Sequence, residues 1–424
     1  MADYRTALEG SSRYLCFKCQ SMLTELWANR YKDHISLFTS VGLVLENSAR
    51  CSLCRLAAHC LGLEKFEIPS AVLQNIDLPD ATIALNFLLP PRIPHSSLMR
   101  PFSISFELAI SSNSIYYNRH SPSYIKIRSD DLGRLGVSED FGACPPTPTQ
   151  TQIPLIKKWL THCSEDHGPF CDTSSFPPSQ SRPLMVIDLK DGCLTDLPPL
   201  TTRRYFALSY VWGQAATFQT LIGNVDGLRQ RGGINAVRHL LPRTITDAMD
   251  LLTALNERYL WCDRLCIIQD DAENKHALIA RMDEVYATAF AVILARSGPN
   301  AEAGLFAERH PWHTEERISD SLRLVAVPDP GREDEYDLAP LERRGWTFQE
   351  KLLARRKLNF SHGLATFECP QAKFSAAISS ERPIPDVPLH SESGSVEKGP
   401  PLDGSRARAV RIMIALCANT RAEP

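Results

Sequence analysis

Apolar and polar residues change period several times along the chain, and the most legible alternation of strand-like and helix-like patterns runs over 184–370. Phe206 to Val211 is a short apolar run closed by Trp212-Gly213, the pattern of a buried strand. Beyond Pro242, Thr244-x-x-Asp247 reads as a capping-box-like helix start, and Ile245, Ala248, Leu252 and Leu255 then recur at helical spacing. Tyr259 to Cys262 predicts a second strand that delivers Asp263 to its carboxyl end. Leu278, Met282, Val285 and Ala289 stripe a helix over 274–289, and Ala291 to Ala295 reads as a third strand. Trp346 to Arg355 reads as a helix and Lys357 to Phe360 as a fourth strand. Strands separated by helices of this length imply βαβ units and a mostly parallel sheet flanked by helices. In such sheets ligands bind outside the carboxyl ends of the strands.

The flanks read differently. Residues 66–150 mix short apolar runs (Ile83–Leu85, Ile104–Phe106, Ile125–Ile127) with proline and serine clusters, a pattern of irregular short strands and loops. Residues 173–183 form a linker, 380–408 are rich in proline, serine and glycine, and Arg406 to Ala418 is a basic amphipathic stretch suited to a surface helix. A chain of 424 residues exceeds one ordinary core, so two or three domains are expected, and the changes of pattern divide the chain into four segments. They are a Cys-rich module (1–65), an irregular β and loop region with its linker (66–183), an α/β domain (184–370) and a low-complexity tail (371–424).

Composition narrows the function classes. Hydrophobic residues make up 43% and charged residues 22%, as in soluble globular proteins. A net charge of -3 supplies no broad basic field for nucleic acid. No apolar run reaches the roughly 18 residues a membrane span needs, and MADYRTALEG lacks the apolar core of a secretory signal. The expected location is cytoplasmic. There, 13 cysteines read as reduced thiols, metal ligands or small core residues rather than as disulfides.

Three groups of residues carry candidate chemistry. Cys16-x2-Cys19 and Cys51-x2-Cys54 have the pairing of a four-thiolate structural zinc site. The 31 residues between the pairs exceed the roughly 15–20 of a simple ribbon, and a helix over Ser52 to Leu61 could equally hold its cysteines as core residues. Cys163, His167 and Cys171 could hold a metal with water in the fourth position, or could be a satisfied histidine beside two buried thiols, with Gly168-Pro169 interrupting any helix through them. Ser209, Tyr210, Trp212, Gly213 and Asp263 cluster where strands end and suit either a nucleotide pocket or a tight turn. No G-x-G-x-x-G or Walker pattern stands here, so neither dinucleotide redox chemistry nor a P-loop ATPase is supported. Cys262 and Cys266, four apart across a strand end, read as core thiols.

Four ordered blocks resemble the fungal heterokaryon incompatibility (HET) domain. They are Tyr205 to Gly213, Leu241 to Ala248, Tyr259 to Asp271 and Arg344 to Glu350, with Met282, Tyr286, Ala289 and Gly304-Leu305 between the last two. The resemblance spans roughly 160–370, and more loosely 10–60. It implies an effector of non-self recognition that triggers cell death and works with other incompatibility or signalling proteins and by self-association. It also implies remote similarity to TIR domains, a flavodoxin-like α/β fold, some of which cleave NAD with a glutamate in a W-x-x-x-E pattern. Trp346 and Glu350 have that spacing, so the resemblance makes Glu350 the catalytic carboxylate, Trp346 a ligand contact or helix brace, and NAD a substrate rather than a cofactor. The same pattern also fits an exposed glutamate on an amphipathic helix whose tryptophan is core. Two rivals stand beside it: a non-catalytic self-associating signalling module, and a zinc-dependent nucleic-acid-binding regulator that the charge of -3 opposes. The tryptophan-led helix that usually follows the family's Glu-Cys pair, here Glu368-Cys369, is not found, and the tail is shorter than the variable carboxyl-terminal region of many relatives.

Overall fold

The computed structural model describes residues 8–28, 34–61, 81–88, 103–112, 115–134, 142–144, 152–168, 171, 183–198, 204–214, 217–296, 298–306, 314–328, 352–361 and 363–377. Two sheets organise them. In the first, β1 (His34–Ser40), β2 (Ala81–Leu88), β3 (Ser103–Ser112) and β4 (Ile115–Ile127) pair in sequence, each antiparallel to the next. The expected short strands at 83–85, 104–106 and 125–127 are the centres and ends of these longer ones. Helices α1 (Phe17–Ala28) and α2 (Ser52–Leu61) contribute Leu23, Leu53, Leu56 and Leu61 to a core shared with Ile125 and Ile127 of β4.

The second sheet begins beyond helix α3 (Ile153–Asp166) with the hairpin of β5 (Met185–Asp188) and β6 (Cys193–Asp196). Then follow β7 (Tyr205–Ser209), helix α4 (Arg243–Ala254), β8 (Tyr259–Cys262), helix α5 (Met282–Thr288) and β9 (Ala291–Ala295). Every residue of β7 and β9 is buried, the continuous apolar pattern expected of parallel strands covered on both faces. The chain next leaves this sheet. β10 (Thr314–Arg317) and β11 (Arg323–Pro328) form a hairpin, and β11 lies antiparallel on β4 with Leu324 opposite Ile127, so these strands complete the first sheet. β12 (Lys357–Ser361) returns parallel to β9, and β13 (Leu364–Glu368) and β14 (Lys373–Ser375) follow antiparallel.

The second sheet is ordered β14-β13-β12-β9-β7-β8-β5-β6. Its centre, β12-β9-β7-β8, is parallel, and the four strands expected from the sequence are these four. The edges are antiparallel, so the sheet is mixed. Numbered by their order in the chain, the parallel strands lie 2-1-3-4 across the sheet. Ile245, Ala248, Leu252 and Leu255 of α4 and its end are buried in this core, the isoleucine and leucine side chains each contributing about 1.5–3 kcal/mol.

Two local expectations are corrected. Helix α4 starts at Arg243 with Pro242 as its N-cap, so Thr244 lies inside the first turn and makes no capping box. Instead the Thr244 hydroxyl accepts the Gly304 N–H at 3.0 Å, and Asp247 accepts the Leu305 N–H at 2.8 Å, pinning the loop after β9 onto the helix. The expected helix over 274–289 is two, Ala272–Ile279 and α5, separated by a turn at Ala280-Arg281. The linker at 173–182, the tail beyond 377 and the start of the helix expected at Trp346 lie outside the described residues. No helix among the described residues is long and apolar enough to cross a membrane.

Candidate functional site

Cys16 stands immediately before α1 and Cys19 lies in its first turn; Cys51 and Cys54 take the same two positions on α2. Residues three apart share a helix face, so each C-x2-C pair points both sulfurs the same way from a helix N-terminus. The Ser52 N–H donates to the Tyr14 carbonyl at 2.8 Å and ties the two helix starts together. All four sulfurs lie within 4.8 Å of one another, with Cys54 Sγ 3.5 Å from Cys19 Sγ and 3.9 Å from Cys16 Sγ. Zn–S bonds of about 2.3 Å set the edges of a tetrahedral site at about 3.8 Å, so the group has the size a zinc ion needs. Cys19, Cys51 and Cys54 are buried and Cys16 is half-buried. Hydrogen bonds from the Cys19 and Cys54 thiols hold the Cys51 thiol far below its ordinary value, and the same contacts together with burial push Cys19 up. Four sulfur atoms at this spacing form the soft donor set that suits zinc. The long spacing between the pairs is filled by β1 and the short helix Val41–Asn47.

At the carboxyl ends of the parallel strands a second group assembles. Ser209 ends β7, buried, and Tyr210 follows it, also buried. The Trp212 indole N–H donates to Asp263 Oδ2 at 2.8 Å, and the Arg264 backbone N–H donates to Asp263 Oδ1 at 2.7 Å. The buried Arg264 guanidinium stacks on the Trp212 ring, 4.2 Å from its centroid, and donates to the Thr217 carbonyl at 3.3 Å and to the Thr217 hydroxyl. Burial pushes the Tyr210 phenol and the Cys262 thiol well up, so both stay neutral, and the thiol donates to the phenol oxygen at 3.8 Å. Gly213 has φ +76°, and a Cβ there would come within 2.6 Å of the Asn300 Cβ. Only glycine allows the loop after β7 to approach the loop after β9 this closely. The structure thus brings Ser209, Tyr210, Trp212, Gly213 and Asp263 to one end of the sheet, presenting an aromatic ring, a carboxylate and a buried cation in one layer.

Trp346 and Glu350 lie outside the described residues. Cys262 and Cys266 are fully buried, and Cys266 Sγ accepts the Cys262 N–H at 3.3 Å, as core thiols do. Two residues escape the sequence reading. Arg264 is one, and its place beside Asp263 at a strand end was the available signal. Cys369 is the other: it joins Cys163, His167 and Cys171 in a group whose ligand atoms lie within 4.8 Å. Either cysteine group could hold a metal.

Comparison with known proteins places these features in context. Residues 205–350 match the family described as heterokaryon incompatibility protein (HET). A stretch of 113 residues is 30% identical to heterokaryon incompatibility protein 6, OR allele, of Neurospora crassa, covering 24% of this chain and 15% of that protein. The chain therefore overlaps only a small part of that relative's length. No solved structure matches the chain.

Proposed function

This chain carries a heterokaryon incompatibility (HET) domain, and from that premise we propose that it is an effector of fungal non-self recognition whose α/β domain cleaves NAD in a TIR-like manner to trigger cell death. The observation that carries this reading is the order of the parallel strands. An order of 2-1-3-4 is that of the first four strands of flavodoxin-like sheets, in which ligands bind where the first and third strands diverge. Here the first and third strands are β7 and β9. Beyond their carboxyl ends Gly213 packs closely against Asn300, and Trp212 donates to Asp263 nearby, which supports placing the ligand at this end of the sheet.

In this reading Trp212 and Trp346 line the nucleotide pocket, Ser209, Tyr210 and Gly213 shape its floor, and Asp263 orients a ribose hydroxyl. Glu350 supplies the carboxylate that meets positive charge developing on the ribose as the bond from C1′ to nicotinamide nitrogen breaks. The nitrogen leaves with that electron pair as neutral nicotinamide, water adds to C1′, and one proton is released, giving ADP-ribose. The Cys16, Cys19, Cys51 and Cys54 set holds a structural zinc that fixes α1 against α2. The protein acts in the cytoplasm, through contact with other incompatibility or signalling proteins and with further copies of itself.

The experiment is induced expression of the full chain in fungal hyphae, with a viability stain and a cellular NAD measurement. Death preceded by NAD loss supports the reading. Death with NAD unchanged leaves an incompatibility effector without the enzymatic step, and healthy hyphae at high expression, alone and with an incompatible partner strain, overturn both.

A further inference from the structure

Helix α3 ends at Asp166, and His167 caps it, half-buried. Gly168, at φ +58°, turns the chain back, and the Cys171 N–H donates to the Gly168 carbonyl at 3.3 Å. This reversal brings the buried Cys171 near Cys163, which faces the core from the last turns of α3. Cys369 arrives from the other end of the domain. It leaves β13 in a tight turn closed by hydrogen bonds in both directions between Cys369 and Ala372, at 2.9 and 3.3 Å. His167 Nδ1 lies 3.3 Å from Cys369 Sγ and 3.6 Å from Cys171 Sγ.

Two further observations bear on what this group is for. Arg356, buried just before β12, donates from Nε to Cys163 Sγ at 3.2 Å, while its guanidinium lies 4.4 Å from the Phe290 ring centroid and donates to the Phe290 carbonyl at 3.3 Å. Three neutral thiols and an imidazole do not balance a buried cation. Three thiolates and a neutral imidazole around a divalent cation carry one net negative charge, which does. The second observation is position. The ligands fall at 163–171 and at 369, on either side of the matched segment 205–350. The same two flanks meet beside the group: Gln152 bonds both the Gly363 carbonyl, at 2.9 Å, and the Ala365 N–H, at 2.8 Å, and Trp159 stacks on Phe374 with centroids 6.0 Å apart.

We propose that Cys163, His167, Cys171 and Cys369 form a second structural zinc site that staples the two flanks of the HET segment together. Four protein ligands close the coordination sphere, so the ion holds the fold and activates no water. Each thiol that enters as S–H gives up its proton when zinc binds. The staple links residues about 200 positions apart, and closing so long a loop restricts the unfolded chain most. The domain it closes runs from α3 to β14. The site is independent of the Cys16 group and of NAD cleavage.

The test is the zinc content of full-length protein purified without chelator, compared with that of His167→Gln and Cys369→Ser. His167 is half-buried, so its replacement leaves the core in place. Each variant is expected to bind one zinc equivalent fewer than the wild type. Cobalt-loaded protein should likewise lose part of its thiolate-to-cobalt charge-transfer absorption in His167→Gln. Unchanged zinc in His167→Gln, no zinc in the wild type, or a disulfide among Cys163, Cys171 and Cys369 found by differential alkylation overturns the site. A wild type holding a single equivalent that His167→Gln loses still supports it, and places the failure at the Cys16 group instead.

Discussion

Replacing Asp131 with asparagine tests how firmly the hairpin of β10 and β11 is fastened to the first sheet. Asp131 lies in the short helix Ser129–Arg134 after β4, and its side chain is fully buried. Its Oδ2 accepts the Arg323 backbone N–H at 2.8 Å and Nε at 3.0 Å, and its Oδ1 accepts Nη2 at 2.6 Å. Arg323 is only 18% exposed, so both charges are largely withdrawn from water. Removing one partner of such a pair costs about 3–5 kcal/mol, mostly because the other charge is stranded. Glu315, 3.8 Å from the Arg323 guanidinium, remains to share it, and asparagine keeps one acceptor for the backbone N–H. The expected loss is therefore near the low end, about 3 kcal/mol. Arg323→Met strands the carboxylate by a similar amount, and the double variant should recover about 2 kcal/mol as coupling. Denaturant unfolding of the three variants followed by tryptophan fluorescence gives the cycle, and hydrogen exchange should show β10 and β11 losing protection together with β4. A coupling below about 0.5 kcal/mol would refute the reasoning. It would mean that 314–328 rests on the first sheet without being held by this pair.

Two further outcomes follow from the same physical argument. Burial alone would raise the Asp188 carboxyl, but the Arg258 guanidinium at 2.6 Å and the Lys190 and Asp191 N–H groups outweigh it and hold the carboxyl below its usual value. A group depressed in the folded state stabilises fully above its unfolded value of about 3.9, and that stabilisation disappears as pH falls through the lower folded value. Asp188→Asn should thus cost stability at neutral pH, with the difference from wild type closing in acid; urea titrations showing a difference constant with pH contradict it. Cys54→Ser should lose one zinc equivalent and expose α1 and α2 to hydrogen exchange together, because a structural zinc site contributes directly to folding. Equal zinc content in this variant and the wild type would remove the ion from the Cys16 group.

Much of the second sheet was legible because its central strands are short, mostly apolar and bounded by helical stripes, as Ala291–Ala295 shows most plainly. The pairing of β11 with β4 was not legible. Arg323–Pro328 reads like any half-buried strand, and nothing local names a partner about 200 residues upstream. The Cys16 group could be read because two C-x2-C pairs repeat the helical spacing within one module. Cys369 could not, because it is a single cysteine, and its place beside His167 follows from β13 running antiparallel to β12 and from α3 packing against that hairpin. Thr244 and Asp247 misled for a related reason: their spacing is that of a cap, while tertiary contact with Gly304 and Leu305 takes their oxygens. At the strand ends the sequence indicated Trp212 and Asp263 separately, and only the fold brings them within hydrogen-bond distance, with Arg264 stacked on the ring.

Nicotinamide release from NAD by the purified full-length chain tests the central claim most directly, measured at concentrations that span self-association. The wild type should release nicotinamide. Glu350→Gln keeps the size and removes the charge, so it should turn over about 100-fold more slowly, a loss of roughly 2.7 kcal/mol in transition-state stabilisation. Its zinc content and melting temperature should be unchanged, and Glu342→Gln should behave as wild type. Normal turnover by Glu350→Gln would reassign the carboxylate and keep the reaction. No nicotinamide from the wild type at any concentration would contradict the enzymatic account itself.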